Sequence, residues 1–444
     1  MDKIMPLMAL LILLYGCTQP EETRPLQVPD STSQGQQNAS IEYGIGCTYQ
    51  TPECAQGYDC IDNRCAPKSG CEYQNPPCGE SYNCVANACV AKQGCLYSNP
   101  QCDEEHVCIE NECVTKFLTD ISGAEFLILA PREFIEPASA IAKKREAEGI
   151  ETVIKDVSDF GDQYEIVAWL DDYRSSHPRL EYVLLFGDQA FIPAFYSENP
   201  IRTLETPTDL PYALPQSDLP TLFVGRIPVQ NPDEANRWLE KLNYYESYRG
   251  PTDVFLFGYS AEYDAYAEAH GDRISDEGYR VKMLNSADAL SIASQINSGS
   301  KFSIFYGHGS AFSLHPVFTI GDIGYLDNKI KPTILFSGGC DTVNYASSQR
   351  SISEEMVVGE NGAVAAIGAT RNGGYGFDYE FVPAFFENCR NKRLGEAFVS
   401  ALIDNYELTV SQEVWNSQDD KYEFARYFVE RMTLLGDPTT KVCN

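Results

Sequence analysis

The chain has 444 residues, and its 64 acidic side chains outnumber 33 basic ones to give a formal net charge of -31. A chain of this length is too long to fold around a single hydrophobic core, so we expect more than one domain. The negative charge excludes nucleic-acid phosphates and anionic lipid surfaces as favourable partners and predicts a solvated acidic surface.

Residues 1–17 have the form of an export signal. Lys3 precedes an apolar run that is shorter than the about 20 residues a membrane-spanning helix needs. The run ends at Gly16 and Cys17, which is similar to a bacterial or archaeal lipoprotein signal in which Cys17 receives the lipid; an ordinary signal cleaved nearby is the alternative. We therefore predict an exported protein anchored by lipid on Cys17 at the cell surface or periplasmic face, followed by a flexible linker over residues 18–45.

Residues 46–117 contain a cysteine spacing, C-x6-C-x5-C-x4-C, that occurs three times with a period of 24. Two disulfides per repeat would replace the apolar core that so short a unit lacks, and an exported chain favours them. Zinc is the alternative, but His106 is the sole histidine of the array, and the disulfide pairing stays open. Each module carries an aromatic and proline patch, such as Tyr49 with Pro52, that either packs on the disulfides or binds a surface partner. The twelve cysteines are Cys47, Cys54, Cys60, Cys65, Cys71, Cys78, Cys84, Cys89, Cys95, Cys102, Cys108 and Cys113.

From residue 126 onward, short apolar runs alternate with helical periods, which is typical of a parallel sheet with crossover helices. The runs are uniformly apolar, as strands buried on both faces should be. The clearest helix covers residues 231–248, where Asn231 can cap, Pro232 takes the first turn and apolar residues share one face. The predicted strands are 126–130, 152–155, 182–186, 222–225, 254–257, 302–306, 333–336 and 363–367.

Three of these runs are followed by residues whose side chains can take part in catalysis. Ligands bind beyond the carboxyl ends of parallel strands, so these positions are where a site is expected. His308 follows one run, Cys340 a second and Glu262 a third. A thiolate attacks an amide carbonyl, imidazole titrates near neutrality and can move the proton, and a carboxylate can orient the imidazole. The backbone N–H groups of Gly309 and Cys340 are candidates for stabilising the oxyanion.

Each of these residues also has a structural alternative. A histidine at a strand end is commonly a packed or capping residue, and Glu262 by itself would be an ordinary surface carboxylate. Cys340 can pair with Cys389 or Cys443, although three cysteines cannot all pair internally. The sequence therefore predicts one free thiol without saying which.

Taken together, these residues resemble the gingipain-like family of cysteine peptidases, relatives of caspases and legumains, over most of residues 124–444. The resemblance lies in the order of the motifs as well as in their residues. The motifs are Phe126-Leu-Ile-Leu-Ala130, Tyr182-Val-Leu-Leu-Phe-Gly-Asp188, Thr206-Pro-Thr-Asp209, Val224-Gly-Arg-Ile-Pro228, Ser260-Ala-Glu262, Tyr306-Gly-His-Gly-Ser310, Cys340, Ala363-Val-Ala-Ala-Ile-Gly-Ala-Thr370 and Leu435-Gly-Asp-Pro438.

The resemblance implies an α/β fold with a caspase-like catalytic domain of two side-by-side, mainly parallel sheets flanked by helices. The family's histidine, cysteine and supporting glutamate fall on His308, Cys340 and Glu262. The family often has alanine before the nucleophile, where this chain has Gly339. A preference for cleavage after arginine or lysine is also implied, with Asp264, Glu268 and Asp272 as candidate acidic residues for the substrate.

We predict no cofactor and assign no metal. Asp188, Asp209 and Asp437 follow strands or loops in a way that is compatible with structural calcium, but such Gly-Asp and Thr-Asp pairs more often form turns and helix caps.

The sequence thus predicts an exported, lipid-anchored cysteine endopeptidase that acts on proteins or peptides through a thioester acyl-enzyme. Its peptidase domain would comprise an N-terminal subdomain, 118–250, and a catalytic subdomain, 251–444. The alternative is a non-catalytic binding lipoprotein on a caspase-like scaffold, in which Cys340 would be oxidised. A further alternative is a peptidase restricted to processing co-exported proteins.

Overall fold

The structure is a computed structural model, and it describes residues 46–50, 52–103, 106–109, 111–118, 123–198, 205–216, 218–249, 253–285, 287–372, 379–412 and 418–443. The export signal with Cys17 and the linker predicted from the sequence lie outside these residues. The chain divides into two compact units, Met1–Lys92 and Gln93–Asn444.

Each cysteine repeat folds as a single 3-10 turn followed by an antiparallel hairpin. The first cysteine of each repeat bonds the third, and the second bonds the fourth. The predicted disulfides are thereby confirmed, and none of these twelve thiols remains to bind zinc. The bonds are Cys47–Cys60, Cys54–Cys65, Cys71–Cys84, Cys78–Cys89, Cys95–Cys108 and Cys102–Cys113. The hairpin strands are β1 Tyr58–Ile61, β2 Arg64–Pro67, β3 Tyr82–Val85, β4 Ala88–Ala91, β5 His106–Ile109 and β6 Glu112–Thr115.

The glycine that opens each module is required by close packing. Gly46 has a φ of 138°, and a Cβ there would lie 2.1 Å from the Asn63 side chain. That side chain accepts a hydrogen bond from the Thr48 N–H at 3.0 Å and so holds the turn against the hairpin. The same contact recurs at Gly70 and Gly94, which explains the repeated Gly-Cys pair.

The division between the two compact units falls at Lys92 and Gln93, so the third module belongs to the same unit as the α/β domain. The reason is local packing. A 3-10 helix, Lys116–Leu118, packs against the strand Thr152–Asp156. Phe117 is buried in the main hydrophobic core of the α/β domain, so this 3-10 helix contributes to the packing of that core.

The α/β domain is built on one ten-stranded sheet whose order is β14-β13-β15-β19-β20-β21-β12-β9-β7-β8. Six of its strands are buried along their whole length, which explains their uniformly apolar sequence; they are β7, β9, β13, β15, β19 and β20. All eight predicted strands are present. The sheet strands are β7 Phe126–Ala130, β8 Thr152–Asp156, β9 Tyr182–Phe186, β12 Phe223–Ile227, β13 Asp253–Gly258, β14 Arg280–Leu284, β15 Phe302–Tyr306, β19 Thr333–Ser337, β20 Ala363–Ala369 and β21 Met432–Leu435. Short strands outside the sheet are β10 Phe195–Ser197, β11 Thr206–Thr208, β16 His308–Ser310, β17 Ser313–His315 and β18 Phe318–Thr319.

Two parallel halves of this sheet correspond to the two side-by-side sheets expected from the sequence. The half β12-β9-β7-β8 and the half β14-β13-β15-β19-β20 are joined by β21. β21 runs antiparallel to β20 and pairs in parallel with β12 at Arg226 and Leu435. The final strand of the chain therefore makes one continuous sheet from two parallel blocks.

Helices cover the sheet, and side chains define where several of them begin. Asn231 accepts a hydrogen bond from the Glu234 N–H at 3.0 Å, and Pro232 takes the first position of its helix, as predicted. Over the described residues, no helix combines the length and apolar character needed to cross a bilayer. The helices are α1 Ile135–Glu146, α2 Gln163–Ser176, α3 Pro232–Ser247, α4 Ala261–Asp276, α5 Ala289–Asn297, α6 Ile352–Val358, α7 Phe381–Asn388, α8 Leu394–Ser411 and α9 Gln418–Arg431.

Candidate active site

The three strand ends singled out in the sequence are neighbours in the sheet. β13, β15 and β19 lie side by side, with Gly258 opposite Tyr306 and Phe305 opposite Ser337. All three strands are parallel, so the segments that follow them leave the same edge of the sheet. Glu262 lies in the first turn of α4, His308 begins β16, and Cys340 follows the Ser337 end of β19.

Cys340 is a free, partly buried thiol. The other two cysteines of the α/β domain, Cys389 and Cys443, form a disulfide that ties the end of the chain to α7. Since three cysteines cannot all pair, the sequence predicted one free thiol, and that thiol is Cys340. A reduced thiol is what nucleophilic chemistry requires, and it is the opposite of the oxidised state that the binding-protein alternative predicts.

The loops that carry Cys340 and His308 touch each other through their backbones. A Cβ on Gly309 would lie 2.7 Å from the Cys340 carbonyl oxygen. A Cβ on Gly339 would lie 2.8 Å from the Gly309 Cα and 3.0 Å from the His308 carbonyl oxygen. Glycine stands at both positions because neither contact leaves room for a side chain. This explains the departure at Gly339 from the alanine that is frequent in the family.

Short hydrogen bonds hold the cysteine loop in place. The Ser337 hydroxyl donates to the Thr342 hydroxyl at 2.7 Å, and the Thr342 hydroxyl donates to the Gly339 carbonyl at 3.0 Å. Asp341, next to the thiol, has a φ of 59°, a left-handed conformation that aspartate tolerates better than most residues. Its carboxylate lies 3.3 Å from the Arg371 guanidinium, which comes from the end of β20. The backbone at Cys340 is thus fixed from both sides.

His308 is exposed, and its imidazole is flanked by aromatic rings. The Tyr263 hydroxyl lies 3.4 Å from His308 Nε2, a long hydrogen bond whose direction depends on the imidazole tautomer. Burial, followed by the nearby Tyr259 and Glu262, raises the pKa of the Tyr263 phenol, which therefore keeps its proton at neutral pH. Tyr263 is a site residue that the sequence reasoning missed. Its position directly after Glu262, at a strand end, was the one available signal.

A cavity of about 280 Å³ opens beside the thiol. Glu262, His308 and Cys340 all line it, so the structure brings the three residues to one place. The other acidic candidates on α4, Asp264, Glu268 and Asp272, do not line it. The lining residues are Glu262, Tyr263, Tyr266, Gly307, His308, Phe336, Ser337, Gly338, Gly339, Cys340, Ile367, Ala369, Tyr379, Phe381, Val382, Phe428, Arg431 and Met432.

Next to Tyr266, an aromatic residue that lines the cavity, lies a second polar network that the sequence did not suggest. His270 Nδ1 lies 3.0 Å from the Tyr306 hydroxyl, and its Nε2 lies 3.3 Å from the Glu380 carboxylate. Hydrogen bonds from His270 and Arg273 lower the pKa of Glu380 to about 2. This network joins α4 to the start of α7. It holds together two elements that flank the cavity.

The aspartates considered for calcium are engaged by protein groups. Asp209 receives two hydrogen bonds from the buried Arg226, and Asp437 bonds the buried Arg145 at 2.6 Å. Asp188 accepts a hydrogen bond from Gln230 at 2.9 Å. These contacts are those of turns and buried ion pairs.

The α/β sheet, with a half-buried free cysteine and a histidine on touching loops at its carboxyl edge, defines the class as a cysteine peptidase of caspase-like fold. The chain belongs to peptidase family C25, whose family model matches residues 120–443. An uncharacterized protein of Archaeoglobus fulgidus is 26% identical, over 66% of this chain and 92% of its own length. Lys-gingipain of Porphyromonas gingivalis is also 26% identical, over 52% of this chain and 15% of its own length.

Solved structures show the same fold. The crystal structure of the Arg-specific cysteine proteinase gingipain R superposes with a TM-score of 0.63 at 15% identity, covering 73% of this chain and 79% of that one. The complex of the RgpB pro- and mature domains of Porphyromonas gingivalis gives 0.62 at 16% identity, covering 72% and 80%. Membership of the family implies a protein or peptide substrate. The seven disulfides among the described residues are typical of a protein that has left the reducing cytoplasm.

Proposed function

We propose that this protein is a cysteine endopeptidase with Cys340 as nucleophile and His308 as general base. The observation that carries the proposal is a free thiol and an imidazole on loops in backbone contact, both lining one cavity. Family C25 membership supplies the reaction class.

In the first half of the proposed reaction, His308 takes the proton of the Cys340 thiol as sulfur attacks the carbonyl carbon of the scissile bond. The carbonyl oxygen becomes an oxyanion, which the N–H groups of Gly309 and Cys340 stabilise. The C–N bond then breaks, the imidazolium returns its proton to the leaving amine, and a thioester remains. In the second half, water loses a proton to His308 and attacks the thioester. The C–S bond then breaks and the imidazolium returns its proton to sulfur, so the products are a carboxylic acid and the restored thiol.

Glu262 and Tyr263 are proposed to position the imidazole. Glu262 lines the same cavity, and the hydroxyl of Tyr263 lies 3.4 Å from His308 Nε2. A carboxylate near the ring would stabilise the imidazolium that forms during attack. Tyr263 would limit rotation of the His308 imidazole between catalytic cycles.

The family resemblance implies a preference for arginine or lysine before the cut, which would need a carboxylate in the cavity. Among the described lining residues, Glu262 is the one carboxylate, and its side chain is exposed. Asp264, Glu268 and Asp272 lie on α4 but off the lining. The composition of the cavity therefore argues against this preference.

The test is cleavage of a mixed peptide library by the purified protein and its variants. Cys340→Ala and His308→Ala should each abolish cleavage, and iodoacetamide should modify Cys340. His315→Ala is the matched control, because His315 is exposed, pairs across the hairpin with His308 and does not line the cavity. Unchanged cleavage by Cys340→Ala would exclude the proposed dyad. The breadth of cleaved sequences distinguishes a degradative peptidase from a processing one.

Lipid anchoring through Cys17 is part of the same proposal, with the disulfide modules as a spacer between membrane and peptidase. Cys17→Ala should move the protein from the membrane fraction to the soluble fraction of its host and abolish incorporation of labelled palmitate. Retention of both in the variant would exclude this anchor.

A further inference from the structure

The inner wall of the cavity beside Cys340 is dominated by apolar side chains. They come from the ends of two central strands, from α7 and from the junction of α9 with β21, so the wall is made of regular elements of the fold. All but Met432, which is partly buried, are more than nine-tenths buried. The apolar side chains that line it are Phe336, Ile367, Ala369, Phe381, Val382, Phe428 and Met432.

The charge in this wall is positive. Arg431 lines the cavity and is 3% exposed, with its guanidinium 5.1 Å from the ring centres of Tyr427 and Phe428. Glu262, the carboxylate among the described lining residues, is exposed and comes from the first turn of α4. The inner wall therefore combines apolar surface with a buried cation.

The thioester step determines which part of a substrate meets this wall. When the Cys340 sulfur is bonded to the carbonyl carbon, the side chain of that same residue stays within a few bonds of the sulfur. Cys340 is itself a lining residue, so this side chain is the one held against the cavity. An apolar side chain would exchange water for apolar contacts there, whereas a lysine or arginine head would lose its hydration next to another cation.

We propose that this cavity selects an uncharged, apolar or aromatic residue before the cleaved bond, such as leucine, methionine or phenylalanine, and disfavours lysine and arginine. The inference rests on the proposed function, because it assumes that Cys340 is the nucleophile. It replaces the basic preference implied by family resemblance with one argued from the residues of this wall. A fit of one or two methylene groups in such a cavity discriminates by about tenfold or more.

The experiment compares peptidyl acyloxymethyl ketones that differ only in the residue next to the reactive carbon, with leucine, phenylalanine, lysine, arginine or aspartate there. Labelling of Cys340 in the full-length protein is followed by mass spectrometry, with Cys340→Ala as the blank. Fluorogenic peptides with the same five residues are assayed in parallel. We expect the leucine and phenylalanine reagents to react at least about tenfold faster than the lysine and arginine reagents.

The two readouts separate failure of the inference from failure of the proposed function. Faster labelling and cleavage with lysine, arginine or aspartate, or equal rates with all five, would overturn the inference and leave the peptidase intact. Selective labelling by the apolar reagents without turnover of any peptide would support the cavity's preference while the proposed activity fails. No labelling of native Cys340 by any reagent would overturn both.

A matched pair of variants tests whether this particular wall sets the preference. Val382 lines the cavity, whereas Val429, on α9, is similarly buried and does not line it. Val382→Ala removes two methyl groups, so it should enlarge the cavity and shift the ratio of phenylalanine to leucine labelling upward by about tenfold. Val429→Ala should leave the ratio unchanged. Equal ratios in both variants would show that the residue before the cut lies elsewhere.

Discussion

The contact between the Cys340 loop and the His308 loop makes Gly339 the most informative position for adding a single methyl group. Gly339→Ala adds one Cβ, which would lie 2.8 Å from the Gly309 Cα, 3.0 Å from the Gly309 nitrogen and 3.0 Å from the His308 carbonyl oxygen. All three neighbours are backbone atoms, so no side chain can turn aside. The loops must separate.

The size of the separation follows from ordinary contact distances, which begin at 3.4 Å. Since 3.4 minus 2.8 is 0.6, the loops must part by at least 0.6 Å along this direction. Overpacking of this kind costs about 1–3 kcal/mol of stability. Misplacement of reacting groups by about 1 Å can cost about a hundredfold in rate. We therefore expect kcat/KM to fall by about ten- to a hundredfold.

The assay is peptide cleavage with urea unfolding of the same preparation. Gly324→Ala is the matched control, because a Cβ at Gly324 would meet nothing within 4 Å. The control should keep the activity and unfolding midpoint of the parent protein. Parent-like kcat/KM and stability in Gly339→Ala would refute the reasoning that the loop contact sets the distance between thiol and imidazole.

Three further predictions concern stability and positioning. Burial raises the pKa of Glu354 from 4.5 to about 7. Because the folded-state pKa exceeds the unfolded-state pKa, this carboxyl group stabilises the folded protein below pH 4.5, and the stabilisation is lost as pH rises to about 7. The amide of Glu354→Gln does not titrate, so the free energy of unfolding of this variant should gain about 3 kcal/mol relative to the parent between pH 4.5 and pH 8, measured by urea unfolding. Tyr263→Phe removes the hydroxyl 3.4 Å from His308, a long bond worth about 0.5–1 kcal/mol, and should lower kcat/KM by about two- to fivefold. Arg371→Ala removes the 3.3 Å ion pair to Asp341 and should lower kcat several-fold with less effect on KM, because the nucleophile loop loses a support. Its stability should fall by less than about 1 kcal/mol, since both groups are partly exposed.

Each of these predictions has a control and a contrary result. For Glu354, an equal pH dependence of the free energy of unfolding in the parent and the Gln variant would contradict the raised pKa of this carboxyl group. The matched control is a Gln substitution at the exposed Glu407 on α8. For Tyr263, the exposed Tyr244 on α3 provides a Phe substitution that should be silent. For Arg371, an unchanged kcat together with a lower unfolding midpoint would mean that the ion pair is structural only.

The pattern of the sequence was sufficient for the elements with strong local signals. Strands buried on both faces need uninterrupted apolar runs, and all eight such runs form strands. The 24-residue cysteine period predicted three modules because short units without a core need cross-links. Helix α3 began where Asn231 and Pro232 predicted it.

Two strands of the ten-stranded sheet were not predicted, because their local signals are weak. β14, Arg280–Leu284, is an edge strand with charged, half-exposed side chains. β21, Met432–Leu435, has four residues, follows a helix directly and pairs with strands far away in the chain. Edge position and long-range pairing are not visible in a local pattern.

What the sequence determined by itself was the set of chemically capable residues and their place at strand ends, because both follow from residue type and apolar periodicity. Which cysteine is free was decided by tertiary structure, since only folding brings Cys389 within bonding distance of Cys443. The requirement for glycine at 339, the place of Tyr263 beside His308 and the apolar wall with Arg431 were decided in the same way. Each depends on distances between segments that are remote in the chain, and such distances are set by how the elements pack.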